Sequence, residues 1–79
     1  MAIHKEKKDS YPVHTFLMEA RRKYNVHQHY YHGDSILIVF CADANIRQLQ
    51  LVEKKMNVFG LYLEPVRKFS CEYIFSRRV

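Results

Sequence analysis

Glycine, proline and cysteine are scarce in this chain, two of each, and tryptophan is absent. So little glycine and proline argues against low complexity or disorder over most of the 79 residues, and an apolar fraction of 48% is ordinary for a folded domain. Cys41 and Cys71 each lie in a run of strand character, with no C-x-x-C spacing. They read as small apolar core groups in a reducing compartment rather than as a disulfide. Long hydrophobic runs are missing too. The longest covers residues 36–42, far below the roughly 20 residues of a membrane-spanning helix. The amino terminus, MAIHKEKKDS, has charges but no apolar region behind them, so no secretory leader is expected. These absences set the expectation of a soluble, cytoplasmic protein with no membrane partner.

Catalytic signatures are equally thin. There is no glycine-rich phosphate loop, no G-x-S-x-G and no H-E-x-x-H, and none of the five histidines pairs by sequence with a nucleophile. The expectation is a non-enzyme without a cofactor.

What the chain does have is positive charge. Thirteen Lys and Arg against eight Asp and Glu give a formal net charge of +5, which favours anionic partners such as nucleic acid. The cations come in pairs and triplets: Arg21, Arg22 and Lys23; Lys54 and Lys55; Arg67 and Lys68; Arg77 and Arg78. Arg47 stands apart, one helical turn before Leu51.

At this length the chain has room for one domain, expected over residues 10–79 behind a flexible charged arm at 1–9. Ser10-Tyr11-Pro12 reads as a helix start, because proline suits the first turn. Val13, Phe16, Leu17, Ala20 and Tyr24 then recur at helical spacing, and Asn25 suits a left-handed exit. Gly33-Asp34 separates two strand-like runs and predicts a tight hairpin. Its register would set Tyr31 against Ile36, His29 against Ile38 and His27 against Phe40. Asp43 or Asn45 is placed to cap a second helix running to about Asn57, with a stripe of Asn45, Leu49, Val52 and Met56. A third strand that starts at Val58 or Leu61 and ends at Leu63, with 58–60 as the helix exit in the second case, and a fourth at 69–75 would form a second hairpin. A five-residue loop aligns Leu63 with Phe69, Leu61 with Cys71 and Phe59 with Tyr73.

The fold class expected is therefore α+β, a two-layer sandwich in αββαββ order. Its four-stranded, mainly antiparallel sheet would have both helices on one face, a permuted ferredoxin-like arrangement.

The stretch VHQHYYHGDS holds three of the five histidines. His27 and His29, two apart on a strand, would share a face, the spacing by which a strand offers two imidazoles to zinc. A structural zinc site takes four ligands, and nothing else here has ligand spacing, so no metal is expected. A face carrying His27, His29, Tyr31 and Phe40 would instead be a stacking surface if it were the open side of the sheet, with cations nearby for phosphates. The second strand is apolar on both faces while only two helices are available to cover the sheet, so some apolar surface is left for a partner.

The reading with most support is a small regulatory or accessory protein that docks on a protein partner, a component of nucleic-acid machinery that self-associates through its sheet as a homodimer. Direct RNA or DNA binding is the alternative. The candidate contact residues are Arg21, Arg22, Lys23, His27, His29, Tyr31, Arg47, Leu51, Lys54, Lys55, Arg67, Lys68, Arg77 and Arg78.

Overall fold

The computed structural model describes residues 2–64 and 71–77, with side chains described from residue 12 onward. In chain order the elements are α1 (Ala2–Lys23), β1 (Val26–His32), β2 (Ser35–Phe40), α2 (Ile46–Val58), β3 (Leu61–Leu63) and β4 (Glu72–Arg77). All neighbouring strands are antiparallel, in the order β1-β2-β4-β3. The αββαββ layout and α+β class follow the sequence expectation, and the strand order is compatible with a permuted ferredoxin-like arrangement.

The first helix starts earlier than expected. It runs from Ala2 and carries Pro12 inside it, so residues 2–9, expected to be an arm, join the helix. Lys5, Glu6, Lys7 and Lys8 are strong helix formers, and they extend the helix through a proline that costs about 3 kcal/mol in a helix interior. The apolar stripe is as the spacing predicts: Val13, Phe16, Leu17 and Ala20 are buried, and Tyr24 packs against them from beyond the helix end. Asn25 then takes the left-handed conformation, φ 62°, and turns the chain into β1.

The Gly33-Asp34 hairpin forms with Gly33 at φ 62°. Tyr31 faces Ile36 and His29 faces Ile38 as the turn requires, but His27 does not face Phe40. A β-bulge at His27 brings Val26 opposite Phe40 and Gln28 opposite Val39. The exchange has a clear driving force. Without the bulge an imidazole would enter the core, whereas with it Val26 is fully buried and His27 is exposed.

Asn45 caps α2 in a complete capping box: its side chain accepts from Gln48 N, and Gln48 Oε1 accepts from Asn45 N. The same Gln48 oxygen accepts from Asn25 Nδ2 at 3.1 Å, tying the exit of α1 to the start of α2. Val52 and Met56 are buried and Leu49 packs beside them, whereas Ile46 is largely exposed. The helix ends at Phe59, and Gly60 follows at φ 83°.

The second hairpin departs from its expected register. Leu63 faces Phe75 rather than Phe69, and Leu61 faces Arg77 rather than Cys71. Because β4 lies inside the sheet, its register must also satisfy β2. There Phe75 faces Ile36 and Tyr73 faces Ile38. The longer connection costs little, since each doubling of loop length adds only about 0.6 kcal/mol. The expected turn at 64–68 and the first residues of the expected last strand fall mostly outside the described residues.

One core cluster joins both helices to one side of the sheet, from Val13, Phe16 and Leu17 through Ile36, Ile38 and Phe40 to Val52, Met56, Leu61 and Phe75. Replacing Leu17, which is 0% exposed, by alanine should lower stability by about 3 kcal/mol, and Asn45→Ala by about 1 kcal/mol. Denaturant unfolding measures both; a Leu17→Ala variant as stable as the parent would contradict this account of the core.

Candidate interaction surfaces

Strand pairing sorts the sheet into two faces. Tyr31-Ile36-Phe75-Leu63, His29-Ile38-Tyr73 and Val26-Phe40 form rows on the side that carries the core. On the other side stand Gln28-Val39-Glu72, Tyr30-Leu37-Ile74 and His32-Ser35-Ser76-Tyr62. Neither described helix covers these rows. Leu37, Val39 and Ile74 are half-buried at its centre, and Tyr30 is 53% exposed.

The expected stacking surface is therefore the covered face. Phe40 is buried and His29 only 9% exposed. Tyr31 is half exposed at the rim, where its hydroxyl meets His14 Nδ1 at 3.2 Å. His27 and His29, separated by the bulge, do not share a face. Among the described residues, no group of three His, Cys, Asp or Glu side chains is placed to hold a metal ion.

His14, His29 and Tyr31 form a small aromatic cluster between α1 and β1. The His29 ring lies 5.9 Å from that of His14 and 5.3 Å from that of Tyr31, edge-on to each. Burial is the main influence that pulls the His29 pKa below its usual 6.5, and the charges of Arg21 and His14 add to it. Burial also raises the Tyr31 pKa. His29 Nδ1 is buried without a hydrogen-bond partner among the described residues, so the ring is best kept neutral.

The positive groups lie elsewhere. Among the described residues no lysine or arginine belongs to the open rows; at their edge Arg21 of α1 donates to Gln28 Oε1. Arg22 and Lys23 share the last turn of α1, and Lys23 pairs with Glu19 at 2.9 Å. That hydrogen-bonded pair lowers the Glu19 pKa and raises that of Lys23. Arg47, Leu51, Lys54 and Lys55 fall on one exposed stripe of α2, and Val58, which sequence reasoning missed, completes it. Arg77 is at the end of β4, its Nη1 donating to Phe59 O at 3.4 Å. Arg67, Lys68 and Arg78 lie outside the described residues.

The candidate residues thus separate. Arg47, Leu51, Lys54 and Lys55 come together, while His27, His29 and Tyr31 do not make a common surface. Tyr30, Leu37, Val39 and Ile74 are not among the expected contact residues, although alternation along the first hairpin puts Tyr30, Leu37 and Val39 on one face.

Among the described residues no helix is long and apolar enough to cross a membrane. Searches of protein-family models, curated proteins and solved structures find no match to this chain.

The His29 environment has a pH consequence. A base whose pKa is lowered by folding binds fewer protons folded than unfolded, so its contribution is full above about pH 6.5 and is lost as pH falls towards the folded value. Thermal unfolding should show stability falling as pH drops below about 6.5, with a smaller fall in His29→Phe. An unchanged slope in that variant would contradict the assignment.

Proposed function

We propose that this is a small non-catalytic accessory protein that works by protein contact and self-associates through the open face of its sheet. The observation that carries the reading is the row Tyr30-Leu37-Ile74, uncovered by the described helices, with Val39 beside it, among strand rows that hold no described lysine or arginine. Apolar side chains on the outer side of a central strand lower the free energy when water is removed from them, by about 25 cal/mol for each Å² buried.

Charge supports a second copy as the occupant. A chain of net charge +5 repels its own copy wherever cations face each other. Meeting sheet to sheet places the neutral centres in contact and leaves the basic helices of each copy on the outside. Glu72 and the side chains of His32, Ser35 and Ser76 would supply a polar rim around that centre.

The alternative, direct RNA or DNA binding, draws on Arg22, Lys23, Arg47, Lys54 and Lys55 of the helical layer. It would use that layer rather than sheet aromatics, because the rings expected to stack on bases are on the covered face.

Light scattering over a concentration series tests the main reading. The parent chain should pass from monomer to dimer, and Leu37→Glu should weaken association by about tenfold or more, since it buries a charge in an apolar contact. Leu37 is only half-buried in the monomer, so the variant should remain folded. A strict monomer at millimolar concentration, or a dimer indifferent to Leu37→Glu, would sink the proposal. Salt-dependent binding to oligonucleotides by that monomer would favour the alternative.

A further inference from the structure

The helical layer holds a groove of its own, distinct from the sheet face. Phe16 and Tyr24, next to each other at 6.1 Å between ring centroids, form its floor. Leu51 and Val58 of α2 form one wall and Lys54 and Lys55 its rim, around a volume of about 320 Å³. Leu51 is 45% and Val58 74% exposed, a large apolar area to leave beside lysines on a helix one turn from a buried core.

The charges around it are unequal. Glu19 also borders the groove, but Lys23 neutralises it through their 2.9 Å ion pair. Lys54 and Lys55 belong to no described ion pair, although the charge of Lys55 reaches Glu19 at longer range, and Lys55 Nζ rests 5.7 Å from the centre of the Phe59 ring. The result is an apolar trough bordered by net positive charge.

We propose that this groove docks an acidic amphipathic peptide segment of a partner protein, apolar side chains against Leu51, Val58 and the Phe16-Tyr24 floor and carboxylates against Lys54 and Lys55. The proposal rests on reading the chain as a protein-docking domain, and it uses a surface separate from the self-association face. Charge complementarity selects the acidic partner, and the concave apolar trough between two helices selects a segment that can insert side chains. A nucleic acid fits less well, because of the two rings that line the groove only Tyr24 is more than slightly exposed, whereas aliphatic Leu51 and Val58 make up most of the exposed wall.

The test is fluorescence anisotropy of the full chain with a labelled synthetic peptide that has a leucine stripe and glutamates on both flanks. Binding at micromolar concentration is expected, weakening as salt is raised. Lys54→Glu combined with Lys55→Glu, and separately Leu51→Ser, should each weaken it by roughly tenfold or more. All three positions are exposed, so thermal unfolding should match the parent. Equal binding of a scrambled peptide without the leucine stripe would overturn the proposal, as would full affinity in either variant. Tighter lysine-dependent binding to a single-stranded oligonucleotide, or to phosphatidylserine vesicles, would overturn it in favour of those ligands. Failure here with dimerisation intact removes the groove alone; loss of the dimer in Leu37→Glu with peptide binding retained shows that the two surfaces are independent.

Discussion

Two helices can cover only one side of a four-stranded sheet, and β2 is apolar on both sides. Ile36, Ile38 and Phe40 face the helices and are buried, whereas Leu37 and Val39 face away and are half-buried beside β1 and β4. The molecule therefore folds around one face and leaves the other uncovered by its described helices. The choice of face follows from which side chains fill space best under α1 and α2, and Phe40 and Phe75 bring large rings to that side.

The bulge at His27 serves the same requirement. Strict alternation would put an imidazole where the core needs an apolar group, and one extra residue puts Val26 there instead. Asn25 makes this geometrically accessible: its left-handed backbone turns the chain, its carbonyl accepts from Cys41 N at 2.7 Å, and its side chain reaches Gln48. Polarity is then divided between layers. Six of the seven arginines and lysines with described side chains belong to α1 and α2, and the seventh, Arg77, turns towards Phe59. A basic outer helical layer and a sheet face with an apolar centre and Glu72 at its edge are consequences of one folding decision.

Much of this was legible in the residues. The spacing of Val13, Phe16, Leu17 and Ala20, the positive-φ demands at Asn25 and Gly33, and the Asn45 cap each have a local physical cause, so each could be read before the fold was known. The start of α1 was misread because Pro12 is a strong local signal that the preceding run of lysines and glutamate outweighs. The bulge escaped notice because alternation assumes one residue per step. The β4 register failed for a different reason: a hairpin considered alone ignores the strand on its other side, and β4 must fit Ile36 and Ile38 as well as Leu63. The open face could have been identified from Glu72 and Ser76, whose polar side chains alternate with Tyr73 and Phe75 and mark the side left to solvent.

The account turns on the open sheet face being the place where this protein meets its own copy. The most direct measurement is a concentration series of methyl NMR spectra of the parent chain, resolving Leu37, Val39 and Ile74 on the sheet and Leu51 and Val58 on the helical layer. The account predicts that the three sheet methyl groups shift together as concentration rises while the two helical ones stay fixed. Shifts confined to Leu51 and Val58, or none at all at millimolar concentration, would contradict it.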